Sequence, residues 1–466
     1  MKSEACVLSA DIGTSSLKAA LIDGEGREIA FVRETYPQDA CASGTVEARH
    51  WEEAFTRAAR RLCSSPRQKP LALCVSGNGP TLVPLGKDGR EMRPLHWHGP
   101  RVSRGGPHLS SLFLPYAAAF KEKQPGLYDE TAYFLSPQDW LAWRLGADMV
   151  SALPSSSYIP YYWNDEQCRA YGLDAAKFPP FAEMGSPVGK LSSRHAEGGL
   201  EQGLPLIAGG PDFIMALIGV GAVRAGMACD RAGSSEGINL CVSSPQKSAK
   251  LRLLPHAKEG LWNISAILPT SGRLFEWFRH ITGQDGRSYG EILEEIIKSP
   301  GVPSLPVFSG GSSIFFPDLA ASGAFTSPSV FLSLAGLSSR ASLGRSVVEA
   351  LGFRVLGALD NFKEEGLAVE ELRLSGGQAK NALWNQLKAD ISGLTLHAMD
   401  IADGELAGDA CLCLMALGEA SGLDEACVRI VHIKESYVPD RELHSQYRSR
   451  YAQYRDMEKK AEGFLR

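Results

Sequence analysis

Three short stretches of this chain bring together residue types that hold phosphate or move protons. The first is Asp11-Ile12-Gly13-Thr14-Ser15-Ser16-Leu17-Lys18. A tight turn between two strands leaves backbone N–H groups unpaired, and these can form a nest for phosphate. Thr14, Ser15 and Ser16 add hydroxyl donors, and Asp11 offers an oxygen to a hydrated Mg2+. The spacing G-x-x-x-x-G-K-[ST] is absent, so this is no Walker loop. A strand follows the turn where a dinucleotide fingerprint needs a helix. An ordinary hairpin closed by an aspartate accounts for the stretch equally well. The second, Gly209-Gly210-Pro211-Asp212, runs straight into the apolar segment 213–223. Asp212 reads there as a helix N-cap, or as the base that takes a proton from an acceptor hydroxyl in phosphoryl transfer. The third is Ser375 to Trp384, where Gly376-Gly377 begins a helix and lets a ligand approach the backbone closely. Many helices begin this way.

The elements that must carry these residues are legible in outline. Residues 5–11, 17–23 and 28–36 read as three strands, the last two joined by the hairpin signal Gly24-Glu25-Gly26-Arg27. Trp51, Phe55, Ala58, Ala59 and Leu62 recur at helical spacing. Leu71 to Ser76 returns as a strand, residues 94–137 read as loop-rich, and 138–145 as a helix. Leu204 to Val223 is long enough to span a bilayer, but Gly209 to Asp212 would break it and bury a charge. A strand, a turn and a packed helix are expected there. Residues 227–233 and 237–243 around Ser234-Ser235-Glu236 repeat the opening strand–turn–strand pattern. Two halves of related topology, divided near residue 222, are therefore expected. Further helices fall at 342–362 and 379–392, with a short strand at 372–375 between them. A charged last helix presents Tyr447, Tyr451 and Tyr454 as a packing stripe.

Composition excludes several classes. The 466 residues carry 48 Lys plus Arg against 53 Asp plus Glu, so there is no basic footprint for nucleic acid. With 44% hydrophobic and 22% charged residues, disorder, collagen and coiled coil are ruled out. The length suits two or three domains. Ten cysteines without a C-x-x-C speak against zinc-ribbon or redox motifs and for a reduced, cytoplasmic protein. The N-terminal stretch lacks the long apolar region of a signal peptide. His96, His98 and His108 have no ligand spacing and suit a polar pocket wall. Trp97, Trp140 and Trp143 suit core or pocket wall better than a nucleic-acid stacking platform.

Taken in order, these stretches resemble the FGGY carbohydrate kinases, xylulokinases among them, of the actin/hexokinase/Hsp70-type ATPase superfamily. The likeness runs from DIGTSSLKAALID to LSGGQAKNALWNQLKADISG. Between them Gly209 to Asp212 is similar to the family's Gly-Gly-x-Asp catalytic segment, and RAGSSEGIN to its second phosphate turn. SLAGLSSRASLGRSVVEALGF is similar to a signature of its second domain. The resemblance implies an α/β protein of two RNase H-like (actin-like ATPase) domains, 1–222 and 223–466, with a deep interdomain cleft. It implies ATP and Mg2+, with Asp11 facing the metal and γ-phosphate and Thr14, Ser15 and Lys18 near the phosphates. Asp212 becomes the catalytic base, Gly233, Ser234 and Ser235 the second phosphate turn, and Gly376, Gly377 and Asn381 the border of the adenosine.

The sugar-site segments depart from the family pattern. Ser76 to Thr81 lacks the xylulokinase histidine, Leu95 to Arg101 has Gly99 where an Asp is expected, and the G-E-R-T-P segment is reduced to Asp318 to Gly323. Asn78, Gly79, Trp97, His98, Arg101 and Asp212 are the candidate sugar contacts. The expected activity is transfer of the ATP γ-phosphate to a sugar hydroxyl, with a ketose such as a pentulose favoured. A kinase for a polyol or sugar acid and a non-catalytic sugar- or nucleotide-sensing homologue are the alternatives. An actin-like ATPase without a sugar is disfavoured by Gly209 to Asp212 and by the segment 94–137. The implied partners are a small-molecule sugar and ATP, not nucleic acid or membrane, with a homodimer left open.

Overall fold

The computed structural model describes residues 5–64, 69–102, 109–196, 199–233, 235–268, 271–298, 308–309, 330–331 and 339–465. The chain forms two compact units. The first comprises Met1–Val223, Leu254–Leu261 and Asp403–His432; the second comprises Arg224–Leu253, Trp262–Ala402 and Ile433–Arg466.

The first unit is built on strands β1 (Cys6–Ile12), β2 (Ser16–Asp23), β3 (Glu28–Thr35), β4 (Pro70–Gly77), β5 (Pro187–Lys190) and β6 (Pro205–Ile207), in the order β3-β2-β1-β4-β6-β5. All seven residues of β1 are buried. A strand covered on both faces reads as a continuous apolar run rather than an alternation, which is why it was legible. The second unit contains β7 (Ala228–Ala232), β8 (Glu236–Val242), β9 (Arg252–Pro255), β10 (Trp262–Leu268), β11 (Glu371–Ser375), β12 (Thr395–Met399) and β13 (Ile433–Tyr437), in the order β9-β10-β8-β7-β11-β12-β13. Apart from β9, the two sheets correspond strand for strand. β3-β2-β1 and β10-β8-β7 are antiparallel. β1-β4-β6 and β7-β11-β12 are parallel, and the last strand of each sheet is antiparallel. The repeated topology expected from sequence is present.

The helices used below are α1 (Ala48–Leu62), α2 (Asp212–Gly219), α3 (Arg340–Glu364), α4 (Ala382–Ser392), α5 (Gly404–Ala416) and α6 (Arg441–Leu465). In the first unit α1 buries Trp51, Phe55 and Leu62, and Trp51 meets the buried Trp140 edge-on at 5.9 Å. In the second, Tyr447, Tyr451 and Tyr454 of α6 close on Phe353 of α3, the packing stripe expected.

Two features differ from the sequence reading. A single division near 222 assigns everything beyond it to one half, whereas α5 belongs with the first sheet. It packs on α2, β1 and β4, and glycines permit the approach. A Cβ at Gly219 would stand 1.8 Å from the Gly404 carbonyl oxygen, and one at Gly408 would stand 2.2 Å from that of Met215. The segment 94–137, read as loop-rich, contains helices Leu114–Lys123 and Pro125–Glu130 and a strand, Thr131–Leu135, paired with Val83–Gly86. The first of these helices is buried without interruption from Tyr116 to Phe120, so it shows no amphipathic stripe to read. No helix among the described residues is long and apolar enough to cross a membrane.

Candidate active site

In the first unit, strand pairing sets Asp11 of β1 directly opposite Lys18 of β2. The turn between them is closed by the Gly13 N–H, which donates to the Ser16 carbonyl at 3.0 Å, and it leaves Thr14 and Ser15 exposed. Asn78, just past β4, braces this turn from below. Its Nδ2 donates to the carbonyls of Ile12 at 3.1 Å and Gly13 at 3.2 Å, and its Oδ1 accepts from Thr81 Oγ1 at 2.8 Å. The amide expected from sequence as a sugar contact thus also braces the phosphate-type turn.

Lys18 is enclosed by Asp11 and by two acids that sequence reasoning missed. Its Nζ lies 3.1 Å from Asp403 Oδ1, 3.3 Å from Asp11 Oδ2 and 3.9 Å from Glu405 Oε2. Burial opposes its charge, but Glu405, Asp11 and Asp403 together raise its pKa above that of a free lysine. Deeper in, Asp409 of α5 accepts from Ser76 Oγ at 3.1 Å and from Cys74 Sγ at 3.4 Å. Burial, with Cys74 and Asp11 nearby, pushes the Asp409 carboxyl well above its ordinary range. Asp403, Glu405 and Asp409 come from α5 and its N-cap, far along the chain, and no local signal pairs them with Lys18.

Asp212 is the first residue of α2. Pro211 holds the N-cap position and no side chain caps the helix, so the capping reading of Asp212 does not hold. Its Oδ1 accepts the Phe213 N–H at 2.7 Å. The turn before it needs its glycines. A Cβ at Gly209 would lie 1.8 Å from the Val75 carbonyl oxygen, and one at Gly210 would lie 2.6 Å from Met184 Sδ.

A pocket opens beside the first turn, its lining including Gly13, Thr14, Trp51, Asn78, Trp97 and His98. Gly79, Arg101 and Asp212 are not part of that lining, and Arg101 is exposed. His96 and His98 stack with ring centroids 5.3 Å apart and planes 3° from parallel. His96 Nε2 meets the Val46 carbonyl at 2.9 Å. Burial lowers the His96 pKa to about 4, so the ring is neutral and Nε2 carries its proton.

In the second unit the Gly233 N–H donates to the Ser235 carbonyl at 2.8 Å. Ser234, like His108 and Asp318 to Gly323, lies outside the described residues. Asp230 of β7 and Glu236 of β8 flank this turn, and the buried Lys388 of α4 donates to Asp230 Oδ2 and Glu236 Oε1, each at 2.6 Å. Burial and the neighbouring Glu236 push Asp230 up to about 7. Against burial, Lys388 holds Glu236 below its ordinary range. The available signal was Lys388 itself, a charge among Trp384, Leu387 and Ile391 on a helix whose other residues are mostly apolar. Gly376 adopts φ of 94°, and a Cβ there would stand 2.4 Å from the Ala232 carbonyl oxygen. Around Gly377 a Cβ would meet nothing within 4 Å. Asn381 caps α4, its Oδ1 accepting the Trp384 N–H at 2.9 Å.

Among the described residues no group of three or more His, Cys, Asp or Glu could hold a metal ion by itself. The donor set nonetheless fits Mg2+. Asp11, Asp403 and Glu405 set three hard carboxylates against one lysine, and Mg2+ is commonly held by one or two carboxylates together with water and phosphate oxygens.

Residues 231–417 match the C-terminal domain of the FGGY family of carbohydrate kinases. This stretch of the chain carries that domain. The chain is a phosphotransferase with an alcohol group as acceptor. The chain is 24% identical to the xylulose kinase of Bacillus subtilis (strain 168), over 97% of the chain and 96% of that protein. Its fold is that of the ligand-bound xylulose kinase from Lactobacillus acidophilus, with a TM-score of 0.80 at 17% identity over 97% of each chain. The gluconate kinase from the same organism superposes with a TM-score of 0.79, again at 17% identity over 97% of each chain. The two sheet-bearing units are accordingly those of the actin-like ATPase fold.

Proposed function

We propose that this kinase transfers the γ-phosphate of ATP to a hydroxyl of a neutral sugar, a ketose of the pentulose kind, with Asp212 as general base. The pocket beside the first turn carries this reading, because Gly13 and Thr14 of the phosphate-type turn share one lining with Trp97 and His98. That lining, among the described residues, contains no Asp, Glu, Lys or Arg, and His96 is neutral above about pH 4. A sugar acid finds no counter-charge there. A neutral polyhydroxylated ligand finds aromatic faces and hydrogen-bonding edges. The likeness to a xylulose kinase supports the same class.

In the reaction the acceptor hydroxyl gives its proton to Asp212 while its oxygen forms a bond to the γ-phosphorus. The bond from that phosphorus to the β–γ bridging oxygen breaks, and ADP leaves. Positioning and charge stabilisation supply most of the catalysis in such transfers. Backbone N–H groups and hydroxyls of Thr14 and Ser15 hold phosphate oxygens, and Lys18 holds the Asp11 carboxylate in place. Asp11 would hold Mg2+, which would supply charge neutralisation for the triphosphate when bound. Gly233, Ser234 and Ser235 hold phosphate from the second unit, and Gly376, Gly377 and Asn381 border the adenosine, where the open face of Gly377 admits close approach. Asn78 both lines the sugar pocket and braces the turn beside it. A cytoplasmic setting is supported by the ten cysteines, none of which forms a disulfide.

The test is a coupled ADP-release screen across ketoses, polyols, aldoses and sugar acids. A ketopentose is expected to give the highest kcat/KM and sugar acids the lowest. Preference for a sugar acid would overturn the neutral-pocket reading, and binding of sugar and ATP without turnover would favour the sensor.

A further inference from the structure

Beneath the second turn lies a buried polar chain that the reaction does not use. Lys388 is 2% exposed and both its carboxylate partners are fully enclosed. Taking such a triad out of water costs about as much as its ion pairs return, or more, so it is poor evidence of a stabilising device. What it does is geometric. Lys388 grips one residue on each arm of the hairpin that carries Gly233 to Ser235.

The chain continues. Glu236 Oε2 accepts from Ser271 Oγ at 2.5 Å, and Ser271 Oγ accepts from Gln378 Nε2 at 3.2 Å. Gln378 Oε1 accepts from Trp384 Nε1 at 2.8 Å, and the backbone N–H of Trp384 is held by Asn381 Oδ1 at 2.9 Å. The hydrogen bonds thus run unbroken from the second phosphate turn to the segment Gly376–Asn381. The same two segments also touch at the backbone, where Gly376 lies against Ala232. At the other end, Asp230 Oδ1 is buried without a hydrogen-bond partner, so the grip on Asp230 comes through its other oxygen.

We propose that Lys388 and Glu236 are positioning residues for the nucleotide, locking the second phosphate turn to the adenosine-side segment before ATP arrives. The inference rests on the assignment of both segments to the nucleotide. Pre-setting two contacts of one ligand raises affinity by removing the ordering that binding otherwise costs.

The experiment uses the full chain and two readouts: ADP affinity by calorimetry, and KM for ATP and sugar measured separately. Lys388→Met should weaken ADP about tenfold and raise the KM for ATP in step, with the sugar KM unchanged. Lys388→Arg should recover part of the loss. Gln378→Leu cuts the chain at its middle without uncovering a buried charge, and should weaken ADP about threefold. This variant decides the matter if Lys388→Met does not fold. Variants that bind ADP like the parent, whatever their melting temperatures, would overturn the positioning role. A parent protein that binds no ADP would overturn the nucleotide assignment itself, and this inference with it.

Discussion

The hairpins β1–β2 and β7–β8 occupy the same place in two sheets of the same order, yet their charges are arranged in opposite ways. In the first, the lysine is on the hairpin and α5 supplies the acids Asp403 and Glu405. In the second, the acids are on the hairpin and α4 supplies the lysine. The Lys18 side chain keeps 18% of its surface exposed and faces three carboxylates; Lys388 keeps 2% and faces two. A partly open cluster with negative charge to spare suits a metal ion and phosphates that change charge during reaction. A sealed one suits holding a shape. Losses in the first unit should therefore fall on turnover, and losses in the second on nucleotide affinity.

Asp212→Asn tests the first half of that contrast most severely. It should lower kcat by about 10²–10⁴-fold while ADP affinity and melting temperature barely move, since Pro211 rather than Asp212 occupies the cap. An ordinary kcat in this variant would remove Asp212 from the chemistry. Asp11→Ala should cost about a hundredfold in rate, and the parent enzyme should need Mg2+ or Mn2+. Full activity in EDTA would dissolve the distinction between the two hairpins, because an acid beside the triphosphate helps only when a divalent cation is present.

Gly219→Ala asks whether α5 must lie close for the first cluster to form. Its Cβ would collide with the Gly404 carbonyl, and overpacking of this kind costs about 1–3 kcal/mol. Stability and turnover should fall together as Asp403 and Glu405 shift from Lys18. Loss of stability with unchanged kcat would show that Lys18 does not depend on them.

A milder effect concerns acid. His256, in the first unit, donates from Nε2 to the Ala222 carbonyl at 2.9 Å and accepts the Lys258 N–H on Nδ1 at 3.0 Å. Both nitrogens are committed to the neutral ring, and burial lowers its pKa from 6.5 to about 4. Between those values the unfolded chain binds a proton that the folded one refuses, so this contribution is present above pH 6.5 and is lost as pH falls toward 4. His96 acts in the same direction. Asp139, raised by burial to about 7, acts in the opposite one, favouring the fold at low pH and less so as pH rises from 3.8. Thermal melts between pH 4 and 7 should show a shallower acid decline for His256→Gln than for the parent; identical slopes would exclude the histidine. The smallest effect belongs to Gly377→Ala. With open space around it, stability should stay within about 0.5 kcal/mol, so any sizeable loss of ADP affinity would report contact with the nucleotide.

The sequence by itself determined the local pieces: the strand–turn–strand openings, the Gly209 to Asp212 turn, the tyrosine stripe, and the order of motifs that carries the family resemblance. These depend on backbone preferences and apolar periodicity within a few residues. Tertiary structure alone decided which partners each polar group meets. Asn78 read as a sugar contact and braces a turn; Lys18 read as a phosphate ligand and is held by acids from α5; Lys388 became the centre of a buried triad. The helix Leu114–Lys123 escaped notice because continuous burial from Tyr116 to Phe120 erases periodicity, and Pro125–Glu130 because six residues are too few to display one. The charged groups escaped because a side chain's partner is set by which helices can approach, and for α2 and α5 that is fixed by the absence of side chains at Gly219 and Gly408.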